Sequence, residues 1–159
     1  MRPGRRPALL LGLTLGLTTA ACGNDDCNQL FGSAQDAMQL SFSQVKIQWL
    51  PIEQVLQVLY KDAGGATQVR FSVDLTGLTP AGGLKVDLAE ELGEGPAKSQ
   101  RGNAYAVSEE DEGAVVRGTL SLESWDGPGQ EAEGSFFTTL ASGRTLNGDF
   151  CGPVEELSF

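Results

Sequence analysis

A period-two alternation of apolar and polar residues, cut into short runs by glycine-rich turns, constrains this chain more than any other feature. Gln68–Leu75 is the plainest case: Val69, Phe71, Val73 and Leu75 point one way, and Arg70, Ser72 and Asp74 the other. A strand turns successive side chains to opposite faces, so this pattern is that of a half-buried β-strand. The breaks are equally regular. Asp62-Ala63-Gly64-Gly65, Thr79-Pro80-Ala81-Gly82-Gly83, Asp126-Gly127-Pro128-Gly129 and Ala141-Ser142-Gly143-Arg144 are all turn sequences.

The remaining strands follow from the same pattern. Leu40 and Phe42 are followed by Val45, Ile47 and Trp49, a parity switch that calls for a bulge or bend at Ser43-Gln44. Trp49 falls on the core face, and Pro51 ends the run. Gln54–Lys61 is apolar on both faces, which suits a central strand, and forms the best hairpin with Gln68–Leu75. Leu84, Val86 and Leu88 alternate with Lys85 and Asp87. Glu90–Gly102 reads as a polar loop, and Asn103–Val107 as a short strand. Val115–Trp125 carries Val116, Leu120 and Leu122 on one face, which puts Trp125 with Arg117, Thr119, Ser121 and Glu123 on the polar face. Gly134–Leu140 bears Phe136 and Phe137, and Thr145–Cys151 carries Leu146, Gly148 and Phe150. Before the first strand, Cys27–Met38 has room for one short helical turn. About eight short strands with evenly spaced turns predict an all-β fold, a single antiparallel β-sandwich or flattened barrel.

The amino-terminal stretch has a different character. Arg2, Arg5 and Arg6 precede an apolar run from Ala8 to Ala21, and Thr19-Ala20-Ala21 leads into Cys22. A basic region, a short apolar region and small residues at a cleavage point make a signal peptide. The run is too short and too diluted by Gly12, Thr14 and Gly16 to span a bilayer core of about 20 residues. Thr19-Ala20-Ala21-Cys22 resembles the lipobox of bacterial lipoproteins, with Thr19 where the family prefers leucine. The resemblance implies cleavage before Cys22, acylation of Cys22, and attachment to a membrane through its acyl chains. The expected organisation is a signal peptide over 1–21, an acylated tether over 22–38 and a β-domain over 39–159. Gly23 follows the acylated cysteine, where aspartate would favour inner-membrane retention. The expected place is therefore the cell envelope, on the outer membrane where there is one. The closing run Gly134-Ser135-Phe136-Phe137-Thr138-Thr139-Leu140 and Leu146-Asn147-Gly148-Asp149-Phe150-Cys151 resembles the hairpins that end small secreted bacterial β-domains, to which no function attaches.

With Cys22 lipidated, Cys27 and Cys151 are left as a pair in an oxidising compartment, and a disulfide between them is expected. The alternatives are two free thiols, or a zinc site for which no histidine is available. Removing Met1–Ala21 takes the basic residues from 11 to 8 against 21 acidic ones, a net charge of −13. Such a surface repels nucleic-acid backbones and gains nothing from anionic headgroups.

The chain has no histidine. Serine–histidine and cysteine–histidine nucleophiles are excluded, and no phosphate-binding or dinucleotide-binding motif is present. Catalysis would rest on carboxylates, lysine or tyrosine, and Glu123, Asp126, Glu131 and Glu133, which flank one turn, are the candidates for a hydrolytic carboxylate pair. The run Glu109-Glu110-Asp111-Glu112 offers oxygen ligands for calcium but reads more simply as a solvated loop. An exposed Trp125 beside Asp126 could stack on a sugar or seat a partner, whereas a tryptophan in this place more often folds over the end of a sandwich. The expectation is a non-enzymatic, lipid-anchored envelope protein without a cofactor, acting in binding or assembly. A carbohydrate- or small-ligand-binding module is the alternative, and a carboxylate hydrolase ranks third.

Overall fold

The computed structural model describes residues 27–106 and 113–158, with the backbone alone at 113 and 114. The signal segment, Cys22 and the acidic run Glu109–Glu112 lie outside the described residues. The fold is all-β, a flattened, nearly closed barrel. In chain order its elements are β1 (Gln29–Phe31), α1 (Ser33–Met38), β2 (Gln44–Leu50), β3 (Val55–Lys61), β4 (Thr67–Asp74) and β5 (Leu84–Asp87). Then follow β6 (Glu91–Leu92), β7 (Ser99–Gln100), β8 (Gly102–Ala106), β9 (Gly113–Trp125), β10 (Glu131–Leu140) and β11 (Thr145–Glu156).

The strands run β1-β11-β10-β9-β8-β4-β3-β2 around the sheet, and β11 returns to pair with β2. Two long strands make closure possible. On one edge β9 takes β8 at Gly113–Ala114 and β5 further along, at Thr119–Leu122. On one edge β11 takes β1 at Asn147–Asp149, then β2 in parallel at Val154–Glu156. Each long strand therefore serves both walls. In β11 the change of partner comes at Gly152-Pro153, with Gly152 at φ +148°.

The inward positions are those the alternation marks. Leu56, Val58 and Tyr60 of β3, and Val69, Phe71 and Val73 of β4, are buried. So are Val86, Leu88, Leu120, Leu122, Phe136, Phe150 and Val154. Phe71 of β4 stacks on Phe136 of β10 with ring centroids 4.0 Å apart and planes 4° off parallel, joining the two walls through the core. Trp49 is buried as expected. The parity switch at Ser43-Gln44 marks where β2 begins: residues 40–43 are not strand, although Leu40 is buried.

Three segments differ from the sequence reading. Residues 29–38, expected as tether, belong to the fold: β1 pairs with β11, α1 supplies the expected short helical turn, and Ala34 is buried. Residues 90–102, expected as open loop, contain the β6–β7 ribbon and one buried cation. Arg101 is 7% exposed, donates to the carbonyls of Asp74 and Thr76 at 3.0 and 3.1 Å, and ion-pairs with Glu90. It ties this connection to the end of β4. Finally, β11 continues five residues past Cys151, and those residues close the barrel.

Cys27 and Cys151 form a disulfide with Cα atoms 5.7 Å apart and a sequence separation of 124. The side-chain carbonyl of Asn28 accepts the Cys151 N–H at 2.9 Å, so the bridge sits in an ordered corner. Closing so long a loop removes much of the unfolded chain's freedom. Cys151→Ser is expected to cost about 4 kcal/mol in chemical unfolding and to make Cys27 reactive to maleimide. Equal melting temperatures with and without reductant would contradict this.

Candidate functional site

Two β-bulges decide what the outside of the barrel presents. In the β9–β10 ladder, Leu140 pairs with Val115 and Thr139 with Arg117, so Val116 is an extra residue. Gly134 pairs with Leu122 and Glu133 with Ser124, so Glu123 is extra as well. Each bulge flips the parity of what lies beyond it.

At the first bulge, Val115 goes to the core and Val116, expected inside, is 52% exposed. At the second, Trp125 turns inward. It is 3% exposed and packs edge-to-face on Trp49 at 5.5 Å. The expectation of an indole on the polar face is corrected: a strand without bulges would have put it there, and Glu123 shifts it by one residue. Its ring presents no open face for a sugar. Its neighbour Asp126 is exposed at the β9–β10 turn, so the structure does not bring the two together as a binding pair. Glu131 is exposed near that same turn, while Glu123 and Glu133 are exposed further back on the outer face. Among the described residues no group of three or more Cys, Asp and Glu converges as a metal site, and no helix is long and apolar enough to cross a membrane.

The outer face of β5, β9, β10 and β11 holds a groove of about 810 Å³. Its geometry follows from the ladder register. Along the middle, Asp87, Thr119, Phe137, Asn147 and Phe31 lie side by side across five strands. Phe137 is 53% exposed, and its ring meets Phe31 edge-on at 6.0 Å, which holds it in place. One row to one side lie Arg117 and Thr139. One row to the other lie Lys85, Ser121, Ser135 and Asp149. The groove therefore sets hydroxyl and amide side chains beside two exposed apolar ones, Phe137 and Val116. Asn147 is fixed because its carbonyl accepts the Thr138 N–H at 2.9 Å, which leaves its NH₂ group for other partners.

The charges in the groove are distinctive. Among the described residues the ion pairs employ Lys46, Lys98 and Arg101, and Arg70 lies over the Tyr105 ring. Lys85 and Arg117 line the groove with no ion-pair partner among the described residues. The one carboxylate in the lining, Asp87, has an oxygen accepting the Ala89 N–H at 2.9 Å. The groove is thus net positive in a chain of net charge −10.

Beyond it the outer face turns acidic. Burial, and then the charge of Glu123, push the Asp149 carboxyl above its usual range. Beneath it, burial and the Asp149 charge raise the Tyr60 phenol, whose O–H donates to the Asp149 carbonyl at 3.1 Å. Sequence reasoning placed Arg117 on the polar face but missed the groove, because its rows come from the register between strands and the bulge that exposes Val116 has no proline to mark it. The exposed phenylalanine was legible: Phe136 and Phe137 are adjacent, so one had to face out.

Compared with protein-family models, curated proteins and solved structures, the chain matches none.

Two outcomes test this arrangement. Trp125→Ala should destabilise the domain by about 3–5 kcal/mol, the cost of emptying a buried aromatic site. A loss below about 1 kcal/mol in urea unfolding would place the indole outside the core. For Asp149, a folded-state pKa above the unfolded value means that stability falls as pH rises from the unfolded value through the folded one. Asp149→Asn should therefore raise the melting temperature at neutral pH and leave it unchanged at about pH 3, below the ordinary aspartate range. A gain of the same size at both pH values would contradict the titration.

Proposed function

We propose that this protein is a lipid-anchored, non-enzymatic component of the bacterial cell envelope whose β-domain binds its partner through the outer face of β5, β9, β10 and β11. The observation that carries this reading is the groove itself. A half-exposed Phe137, held against Phe31 and flanked by two cations that have no ion-pair partner among the described residues, costs solubility and contributes no core packing. An exposed aromatic of this kind is what a binding surface requires. The anchor is supported by Thr19-Ala20-Ala21-Cys22 behind a basic and apolar leader. Export is supported by the Cys27–Cys151 bridge, which suits an oxidising compartment. With Gly23 after the acylated cysteine, the outer membrane is the favoured destination where the cell has one.

The test uses the full chain in cells, with a photo-cross-linking residue at Thr119 and a Cys22→Ser version beside it. The intact chain should incorporate labelled fatty acid, fractionate with membranes and form a discrete cross-link that Phe137→Ala abolishes. Cys22→Ser should lose both label and membrane association. A cross-link that survives Phe137→Ala, or no cross-link from this face at all, would overturn the assignment of the face.

A further inference from the structure

We infer that the groove is built for a carboxylated glycan, an oligosaccharide containing uronic acid. This inference rests on the reading of that face as the binding surface. Three features of the groove point to this one occupant.

The first is charge. Lys85 and Arg117 carry no ion-pair partner among the described residues, while acidic groups outnumber basic ones 21 to 11 in the chain. The surrounding acidic surface repels anions in general. Anionic ligands are thus admitted where the two cations are, and Arg117 can take a carboxylate through two parallel N–H donors.

The second is spacing. Lys85 is level with Ser121, and Arg117 lies four residues back along β9. At about 3.3 Å per residue the two cations are roughly 13 Å apart along the strands. That is the span of two to three sugar units. One carboxylate can meet Arg117 and another Lys85, with the intervening ring over the middle row.

The third is the middle row. Phe137 and Thr119 are paired across β9 and β10, with Asp87 on the far side of Thr119. Phe137 offers an apolar surface to the C–H face of a pyranose. The Thr119 hydroxyl, the Asn147 NH₂ and the remaining Asp87 oxygen can meet hydroxyls on the sugar's edge. A polypeptide makes other demands: a long free strand edge, or several apolar pockets. The strand edge beside this groove belongs to β5, which has four residues, and the exposed apolar groups of the lining are Phe137 and Val116, set among threonines, Asn147 and the charged side chains rather than in a series of apolar pockets.

The experiment is calorimetric titration of the full chain in detergent with trimers of galacturonate, glucuronate and mannuronate, each beside its carboxyl-reduced neutral counterpart. At least one uronate should bind, at least about tenfold tighter than its neutral counterpart. That binding should weaken as salt rises. Arg117→Gln and Lys85→Gln should each cost about fivefold or more, and Phe137→Ala more than about tenfold, with melting temperatures near wild type because all three side chains are on the outer face. Equal affinity for acidic and neutral sugars would overturn the inference, as would binding to none of them. The cross-link from Thr119 separates the two levels. If a protein is captured there and lost in Phe137→Ala, the face stands and the glycan fails. If Phe137→Ala changes neither the cross-link nor sugar binding, both fail.

Discussion

Two glycine–phenylalanine pairs on facing positions of β10 and β11 set the shape of the barrel interior. Phe136 lies opposite Gly148, and Phe150 opposite Gly134. A Cβ at Gly148 would sit 2.8 Å from the Phe136 ring, and one at Gly134 would sit 2.7 Å from the Phe150 ring. Each ring lies across the backbone of the opposite strand where no side chain stands. Phe136 can then reach the far wall and stack on Phe71, with Tyr60 meeting it edge-on at 6.3 Å. Neither glycine is in a turn or at positive φ; each is there for close approach. The flattened shape follows, because two walls linked by a stacked ring pair cannot separate into a round barrel.

With the interior filled by these rings, the surface left open is the outer one. Small barrels of this strand number have interiors just large enough for side chains, and here aromatics occupy the space. What remains is the outer surface of a sheet whose alternation is strict enough to assign every residue a side, except where bulges intervene. The bulges at Val116 and Glu123 therefore do opposite jobs on one strand. The first turns Val115 inward and leaves Val116 outside, next to Arg117. The second brings Trp125 inside against Trp49, sealing the end of the barrel near β2.

This explains what was legible in the sequence and what was not. The all-β class, the β3–β4 hairpin, the inward set Val69, Phe71, Val73 and Leu75, and the Cys27–Cys151 pairing could all be read, because each depends on local period or on simple cysteine arithmetic. The side taken by Trp125 could not, because a bulge is a property of the pairing between strands, and β10 supplies it. The burial of Arg101 was hidden for a related reason. An arginine in a polar stretch reads as solvated until the ends of β4 and β8 bring two carbonyls within its reach. The second half of β11 was missed because Gly152-Pro153 looks like a terminator; here it is where the strand leaves one wall for the other.

In the proposed reading, β1 links the anchor to the groove. Its three residues hang on β11 between the disulfide and Phe31, so the chain enters the fold at Cys151 and reaches the edge of the groove within four residues. With Cys22 acylated, the five steps from Cys22 to Cys27 span at most about 17 Å. The disulfide denies the tether any further slack, so β1 and the face it borders stay close to the membrane plane. A ligand for that face would have to be presented near the headgroups. Long, repeating, acidic chains anchored in or lying along an envelope are presented in that way, whereas a small soluble metabolite gains nothing from a receptor held so short. The same geometry makes the acidic remainder of the domain useful. On an anchored protein it would be repelled by anionic headgroups on its other sides, leaving the Arg117–Lys85 face as the orientation in which an anionic chain is not repelled.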